Sequence, residues 1–326
     1  MLALYGVALT AESQANDGFS KALNEGANAC FTIRVVDNEG IPVQGASIES
    51  RFDASFNAPG SVKAFLTDTN GIAVISGRTG KAVAFRASKV GYYGANGEIC
   101  YVSMGQGVKD GRWLPFDLNR ILVLRRVQNP VANMPHVSGA RYTKRLGIWI
   151  GFDLAKYDFV APNGNGDCAD MEVKFDWDGQ RGESFHGMDV SIRFVEPHSG
   201  AYYHDRMMMC DFKEAYFAVT NEVYQKEFNF YSRPIRDDGG TIIKRSQKLF
   251  DSDKALIIRS RCITNTDGML EQANYSEIVD LTFGCSGRGA WIMFQPIFNP
   301  TPNDTNLEFD PARNLYQGKK GRGMIP

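Results

Sequence analysis

The sequence predicts an all-β protein built from two antiparallel β-sandwich domains. The chain has 326 residues, of which 33 are glycine and 12% are aromatic. Glycine weakens the interior of a helix, whereas aromatic side chains suit a half-buried pleated surface. Apolar and polar residues alternate along several short segments that are separated by turn residues, which is typical of strands. The chain is long enough for two domains that each bury a core.

Charge and motif content exclude several classes of function. The chain is 43% apolar and 22% charged, as in an ordinary globular protein. Its net charge is -1 and its basic residues are scattered, so no field attracts nucleic acid or an anionic membrane. We therefore predict no nucleic-acid partner. We also predict no membrane span, because the apolar stretch at the N-terminus is far shorter than a spanning helix. The G-x-G-x-x-A spacing at 164–169 precedes a strand rather than a helix, which excludes a dinucleotide loop.

Residues 1–28 have part of the pattern of a secretory leader. The first ten or so residues are apolar, well short of the roughly 18 that span a membrane. Ser13 and Ala15 then form a small-x-small cleavage site, although no basic segment precedes the apolar stretch. We expect an exported protein, in the periplasm, at the cell surface or secreted. The alternative is a short strand or helix that packs on the first domain.

The first domain opens with a strand over Phe31–Val36, where apolar residues occupy every second position. Turn residues at 37–40 and 67–71 lead into further strands, and residues 81–87 alternate once more. This alternation predicts a buried set composed of Phe31, Ile33, Val35, Ile48, Val74, Val83 and Phe85.

Three motifs in this region point to a family. Val35–Ala46 has the form V-x-D-x-x-G-x-P-V-x-G-A, Thr67–Ala73 the form T-D-x-x-G-x-A, and Lys89–Tyr92 the form K-x-G-Y. In this order they resemble the carboxypeptidase regulatory-like family, also called transthyretin-like or prealbumin-like, over Phe31–Val102. The second motif also occurs in bacterial Ig-like invasin repeats. Either resemblance implies an Ig-like sandwich at 29–126, a structural or adhesive role on an exported protein, and no catalytic residue.

Six cysteines are compatible with export. Cys30 stands at the start of the first strand and Cys100 near the end of the same domain, so the two could form a disulfide. On a chain-entropy argument, closing a loop of this size would stabilise the domain by about 4 kcal/mol. The alternative is two free thiols that behave as small apolar side chains. Connectivity cannot be read from sequence, and both interpretations stay open.

A boundary follows the first domain. The strand Arg120–Arg125 is predicted to be the last of the sandwich, and two prolines follow within a few residues. This composition favours a stiff, extended linker at 127–142. The second domain is predicted at 143–316, and residues 317–326 read as a disordered tail.

Period-two alternation is clearest in the second domain, at 171–177 and 188–194. Residues 211–228 are ambiguous, because their apolar positions also fit one face of a helix. Further strands are predicted at 147–152, 226–232, 255–264, 278–283 and 290–298. This number suggests a jelly-roll-like sandwich of about eight strands. The predicted buried layer comprises Met171, Val173, Phe175, Trp177, Val190, Ile192, Phe194, Leu281 and Phe283.

The turn after the strand at 171–177 is one candidate metal site. Asp176, Asp178 and Glu183 place carboxylates around a glycine-containing turn, as a calcium loop does. The full twelve-residue pattern with its terminal glutamate is missing. Acidic turns between strands are more often solvated hairpin tips. We expect no cofactor, with calcium as the alternative.

Three histidines form a second candidate metal site. His186, His198 and His204 lie within a short stretch, next to Met207–Cys210. Imidazoles at irregular spacing can converge on a transition metal at a sheet edge, and the methionines would suit copper. Zinc sites usually have tighter spacing, and methionines more often fill gaps in a core.

Aromatic side chains of the second domain could form a platform for sugars or fill the core. The candidates are Trp149, Trp177, Tyr202, Tyr203, Tyr224 and Tyr231. We expect a noncatalytic exported or cell-surface protein, with a structural or adhesive role or with a glycan or protein partner. The alternative is a polysaccharide-acting hydrolase, which needs two carboxyl groups about 5 to 9.5 Å apart in a cleft of the second domain.

A second resemblance concerns most of residues 146–316. Gly151–Leu154, Asp158–Gly164 and Asn299–Pro311 resemble segments of uncharacterised exported bacterial proteins. Those proteins join the same kind of N-terminal module to a β-rich unit. The resemblance implies export and no known activity.

Overall fold

The chain forms two compact units that consist mainly of strands. The computed structural model describes residues 18–135, 139–177, 187–238, 241–310, 313 and 315. Strands make up 54% and helices 5%, which confirms the predicted all-β class. The first unit contains Met1–Val127 and Met208–Lys213, and the second contains Gln128–Met207 and Glu214–Pro326. Most of the predicted leader and the predicted tail lie outside the described residues.

The first unit, as far as it is described, has ten strands and two short helices. Helix α1 covers residues 18–25 and helix α2 covers Tyr101–Met104. Ala22 of α1 is buried in the core, so this part of the predicted leader belongs to the folded unit. No helix in the described part of the chain is long and apolar enough to cross a membrane. The strands are β1 (Ala27–Asp37), β2 (Ser47–Phe52), β3 (Ser61–Leu66), β4 (Ile72–Thr79), β5 (Ala82–Ser88), β6 (Tyr92–Tyr93), β7 (Ala95–Cys100), β8 (Val108–Lys109), β9 (Arg112–Trp113) and β10 (Leu118–Arg126).

These strands form two sheets that share one core. One sheet has the order β6-β10-β1-β9-β8, with β4 also paired to β1, and the other has the order β3-β2-β5-β7. In β1 the buried side chains Ala29, Phe31, Ile33 and Val35 alternate with more exposed ones, because successive side chains of a strand point to opposite faces. The Phe31 ring lies 5.4 Å from that of Phe85 in the other sheet. The predicted N-terminal β-sandwich is therefore confirmed.

Two turns of the first unit share one design. In each, the Oδ1 atom of an aspartate, Asp37 or Asp68, accepts hydrogen bonds from the backbone N–H groups two and four residues later, at 2.8 to 3.0 Å. Gly40 and Gly71 close the turns with φ of 81° and 72°. Glycine adopts this conformation without the steric penalty of a Cβ. The motif residues that carry the family resemblance thus build turns.

One residue predicted to be buried is exposed. Val74 is 57% exposed, while its neighbours Ala73 and Ile75 are buried. The error is one position in β4, because the run from Ile72 to Ile75 is apolar throughout and permits either register. The pairing of β4 with β1 determines the register, since Val74 lies opposite Thr32, which is on the outer face of β1. The other six predicted residues are at most 4% exposed.

The predicted disulfide between Cys30 and Cys100 is not formed, and both residues are free thiols. Cys30 lies on β1 and Cys100 ends β7, in different sheets. Each cysteine is adjacent in its strand to a buried residue, Phe31 or Ile99, so each side chain points away from the core. A bridge would have to cross the core between the sheets. The Cys100 Sγ instead accepts a hydrogen bond from the Ser103 hydroxyl at 3.1 Å.

The second unit, within the described residues, has twelve strands. They include all the segments predicted for this domain. They are β11 (Met134–Pro135), β12 (Arg141–Thr143), β13 (Trp149–Asp153), β14 (Asp158–Phe159), β15 (Met171–Trp177), β16 (Met188–Arg193), β17 (Gly200–Asp205), β18 (Glu227–Arg236), β19 (Ile242–Lys248), β20 (Lys254–Thr264), β21 (Leu270–Ser286) and β22 (Gly289–Asn299).

These strands form two antiparallel sheets around a second core. One sheet has the order β11-β22-β21-β20-β17, with β12 also on β22, and the other has the order β14-β13-β15-β16-β18-β19. Seven of the nine residues predicted to be buried have at most 4% exposure, and Trp177 and Phe283 pack against the same core. The predicted second sandwich is therefore confirmed. Successive strands such as β20, β21 and β22 pair within one sheet, so much of it is a meander.

The segment predicted as a linker at 127–142 is not a free connection. The buried Glu308 carboxylate accepts hydrogen bonds from the N–H groups of Gln128 and Asn129 at 3.0 and 2.7 Å. Strands β11 and β12 then pair with β22. The prolines of this segment disfavour helix, as expected, but the sequence contains no local sign that β22 lies alongside. Most of the predicted linker therefore belongs to the second unit.

Gly71→Ala is expected to destabilise the protein much more than Gly40→Ala. Both glycines have left-handed conformations, which cost alanine roughly 1–2 kcal/mol. A Cβ on Gly71 would also lie 2.3 Å from the Val35 carbonyl oxygen, whereas one on Gly40 would meet nothing within 4 Å. We expect losses in the free energy of unfolding of about 3 kcal/mol or more for Gly71→Ala and about 1–2 kcal/mol for Gly40→Ala, measured by urea unfolding. Equal losses would contradict this explanation.

The buried Asp37 carboxylate predicts a dependence of stability on acid. Burial raises its pKa, but hydrogen bonds from Arg126, at 2.8 Å for Nη2, and from the backbone outweigh burial and lower the pKa below the usual value. This contribution to stability is complete above the unfolded pKa of about 3.9 and is lost as the pH falls through the lower folded pKa. Asp37→Asn should therefore lower the melting temperature near neutral pH, and the difference from wild type should shrink below about pH 4. Asp68→Asn, in the matching exposed turn, is the control, and a pH-independent difference for Asp37→Asn would contradict the prediction.

Candidate functional site

Two carboxylates of the second unit meet around one arginine. Asp153 ends β13, Asp170 directly precedes β15, and Arg261 lies in an irregular part of β20 with φ of 50°. The Nη2 atom of Arg261 donates to Asp153 at 3.1 Å and to Asp170 at 3.0 Å. The two contacted oxygens are thus at most about 6 Å apart, close to the separation of catalytic carboxylates in glycoside hydrolases. This pair offers a direct test of the hydrolase alternative.

Both carboxylates are fully engaged by internal hydrogen bonds. Asp170 also accepts hydrogen bonds from a backbone N–H and from the Ser260 hydroxyl, both at 2.7 Å. Asp153 accepts three backbone N–H groups at 2.9 to 3.2 Å. The Asp153 side chain is 3% exposed and the Asp170 side chain 0%. Because an ionised carboxylate offers about four lone-pair sites, neither has one left for a water or a sugar hydroxyl. The cluster stabilises the fold.

His198 and His204, the two histidine candidates that the structure describes, do not come together. His198 precedes β17, and its Nε2 atom bonds the Gly268 carbonyl at 2.8 Å. His204 lies near the other end of β17, paired with Ala255. Four residues of strand span roughly 13 Å, so the two imidazoles cannot share an ion. His186 lies outside the described residues. In the described ranges, no group of three histidine, cysteine or acidic side chains is placed to hold a metal.

The acidic turn is described only at its start. The Asp176 carboxylate is paired with the Lys174 ammonium group at 2.8 Å. Asp178 and Glu183 lie outside the described residues. The calcium hypothesis therefore stays a prediction.

The six aromatic candidates, all within the described residues, do not form an open platform. Tyr202 is buried and Trp177 packs on the core, as the alternative interpretation predicted. Arginines lie over the rings of three others: Arg193 at 4.2 Å from the centre of Trp149, Arg259 at 3.9 Å from Tyr224, and Arg233 at 5.1 Å from Tyr231. Tyr203 is 43% exposed and contacts Phe228 edge to face. A guanidinium over a ring occupies a face on which a sugar would stack.

A different site lies in the first unit, at the edge of β7. Residues Met208–Lys213, here called the docked segment, run antiparallel to the start of β7, with a bridge between Ala95 and Cys210. The N–H of Asn96 donates to the docked segment, and the N–H of Asp211 donates to the carbonyl just before β7, both at 2.8 Å. The sheet β3-β2-β5-β7 thereby gains a one-residue bridge with two backbone hydrogen bonds at the start of its β7 edge. Strand addition to a sheet edge uses backbone hydrogen bonds of this kind.

The Asp211 carboxylate is recognised by two side chains. Both terminal nitrogens of Arg86 donate to it, one at 2.9 Å, and the Asn96 amide donates at 3.1 Å. Arg86 on β5 and Asn96 on β7 are cross-strand partners, and the Arg86 guanidinium also donates to the Asn96 side-chain oxygen at 3.0 Å. The hydrogen bond to Asp211 raises the pKa of Arg86. A two-pronged pair of this kind fixes direction as well as charge.

The next residue, Phe212, is recognised by its ring and its backbone. Its side chain is buried and stacks on Tyr93, with ring centres 4.8 Å apart. The Arg125 guanidinium lies 4.6 Å from the same ring and donates to the Phe212 carbonyl at 3.0 Å. Tyr93 and Arg125 are cross-strand partners on β6 and β10. Side chains from both sheets of the first unit thus contact Asp211 and Phe212.

Gly94 leaves the space in which Arg86 meets Asp211. It joins β6 to β7, where the chain passes from one sheet to the other. A Cβ on Gly94 would lie 2.7 Å from the Arg86 Nη2 and 2.7 Å from the Asp211 Oδ2. Sequence reasoning missed this site, because the recognised pairs are 115 and 125 residues apart. It interpreted Met207–Cys210 only as metal ligands or core.

Comparisons with known proteins give no identification. No family model matches the chain, and no curated protein matches it. Similar solved structures include three proteins: 3-chlorocatechol 1,2-dioxygenase from Rhodococcus opacus 1CP (15% identity over 32% of this chain and 61% of that chain, TM-score 0.26), a streptococcal ancillary pilin (12%, 70% and 64%, TM-score 0.22), and a DUF3823 family protein from Parabacteroides merdae ATCC 43184 (7%, 84% and 99%, TM-score 0.20). The chain therefore covers 61% of the length of the dioxygenase. The low scores carry no argument about function.

Gly94→Ala should release the docked segment and leave the core intact. The new methyl group would collide with both partners of the Arg86–Asp211 pair. We expect the amide protons of Asn96 and Asp211 to exchange about tenfold or more faster, with little change in the exchange of core strands. Hydrogen exchange resolved by residue measures this. Gly287→Ala, where a Cβ meets nothing within 4 Å, is the control. Unchanged exchange at both amides would show that the pair does not hold the segment.

Proposed function

We propose that this protein is a noncatalytic exported protein whose first unit binds a protein partner by strand addition at β7. The docked segment supports the proposal, since it makes two backbone hydrogen bonds to the start of this edge. Backbone hydrogen bonds supply affinity in this mode, and side-chain contacts supply specificity. The contacts to Asp211 and Phe212 define the ligand as an extended segment with an acidic residue followed by an aromatic one.

The saturated carboxylates favour a noncatalytic role. Asp153 and Asp170 lie close together around Arg261, yet internal donors occupy their lone pairs. A glycosidase needs one carboxyl group free to donate or accept a proton at the scissile bond. This cluster supports the fold instead.

A protein partner is favoured over a glycan by the state of the aromatic side chains. Trp149 and Tyr231 on the outer face of the second unit lie beneath arginines. A sugar would have to displace charged groups that are themselves ion-paired, Arg193 with Glu172 and Arg233 with Asp189. At the edge of β7, a partner segment would displace only the docked segment, whose contacts it would reproduce.

Export is part of the proposal, and the support for it comes from the sequence. The leader-like pattern at 1–28 and the resemblance to the carboxypeptidase regulatory-like family both favour it. Free thiols are compatible with it, since stability in this unit comes from two sheets around a core.

The experiment uses a full-length chain in which the docked segment is weakened. Asp211→Ala combined with Phe212→Ala removes both recognised side chains and keeps Arg86 and Tyr93. A fluorescent peptide of residues 206–215 should bind this variant saturably in an anisotropy titration. Binding should weaken about tenfold or more when Arg86→Ala is added to the protein, because the charged pair is lost. Wild-type protein should bind the peptide more weakly than the variant, since its own segment competes.

A matched peptide provides the control. The same peptide with Asp211→Ala and Phe212→Ala should show no saturable binding. Equal binding of both peptides, or none of the native peptide to the variant, would contradict strand addition at this edge.

A further inference from the structure

We infer that the partner is a second copy of this chain, which donates its own Met208–Lys213 to the β7 edge of its neighbour. The inference rests on the proposed function and names the occupant of the site. It follows from what the edge holds, since the seated segment is the one sequence shown to satisfy every recognising group.

Exchange between copies conserves contacts. The groups that recognise Asp211 and Phe212 are Arg86, Asn96 and Arg125, which are 87 to 125 residues away in the chain. None of these contacts depends on the local chain path, so the same segment from another copy makes the same hydrogen bonds. A foreign partner must outcompete the chain's own segment, whereas a second copy replaces that segment with an identical one. Swapping an identical element is a low-cost route to association.

The docked segment is short and lies partly in solvent. Met208 and Met209 are 43% and 53% exposed. The Arg86 side chain is half exposed, so water screens its pair with Asp211. Only Cys210 and Phe212 are buried in the segment. Such a short, partly exposed strand belongs to the parts of a fold that open most readily.

The recognised dipeptide is available in one place. Asp-Phe occurs twice in the sequence, at 158–159 and 211–212. Asp158 and Phe159 form β14, where Phe159 is buried in the core of the second unit and the Asp158 carboxylate binds the N–H groups of nearby residues. Of the two Asp-Phe pairs, the one in the docked segment is therefore the donor that a second copy can offer.

A complementation experiment tests this inference. The donor-deficient chain carries Asp211→Ala and Phe212→Ala, and the acceptor-deficient chain carries Arg86→Ala and Asn96→Ala. Each is full length and labelled with a different fluorophore. Mixed at up to about 1 mM, the level at which a tethered segment competes, the two should form a one-to-one complex. Each chain alone should associate at least about tenfold less, because it lacks either the donor or the acceptor. Energy transfer and light scattering report the complex.

The controls separate the possible failures. Donor-deficient chain mixed with a chain carrying all four substitutions should give no complex. Circular dichroism and melting check each fold, and Arg86→Gln is a second acceptor-deficient variant that keeps a polar side chain and removes the charge. If the mixture stays monomeric while the 206–215 peptide still binds the donor-deficient chain, the second copy is not the partner and strand addition stands. If the peptide also fails to bind, strand addition itself is wrong.

Discussion

The open edges of a β-sheet are the constraint on which the first unit depends. Edge strands present unpaired N–H and C=O groups that recruit other strands unless they are covered or charged. The sheet β3-β2-β5-β7 meets this constraint in two ways. At β3, Lys63 lies on the core side, and its ammonium group bonds the Ser76 carbonyl of β4 at 3.0 Å, so a charge opposes further pairing. At β7, the docked segment covers the start of the edge with two backbone hydrogen bonds. One edge of the sheet thus carries a charge, and part of the other is covered by a segment from far along the chain.

Pairing with arginine determines which of these carboxylates can still be exchanged for a group from another chain. Arg261 joins Asp153 to Asp170, and burial, which would lower its pKa, is outweighed by hydrogen bonding to Asp170, so its pKa is raised. All three groups are fixed by strands, and the cluster has no exchangeable member. The pair between Arg86 and Asp211 has similar chemistry but differs in one respect, since Asp211 lies on a six-residue segment. An arginine–carboxylate pair to a replaceable segment can recognise a partner. The same kind of pair between fixed strands only stabilises the fold.

The features predicted correctly from the sequence are those that depend on local alternation. Strands such as Met188–Arg193 bury every second residue, and this period is visible without a partner strand. Val74 was misplaced because an apolar run permits two registers, and the linker because pairing with β22 is a non-local fact. Residues 211–228 fitted a helical face, yet Phe212 packs in the first unit while Ala215 packs in a core of the second. Tertiary pairing overrides local pattern there, and the site at β7 depends on it entirely.

The first unit includes a segment from far along the chain. Without the docked segment, the start of the β7 edge is open, Arg86 lacks the Asp211 carboxylate, and Arg125 lacks the Phe212 carbonyl. The chain's own segment competes with a neighbour's, because a segment joined to its acceptor within one chain has an effective concentration on the order of mM or less. Dilute chains therefore retain their own segment, whereas chains crowded to a comparable local concentration encounter a neighbour's segment as often as their own. The same edge then serves folding in one setting and assembly in the other.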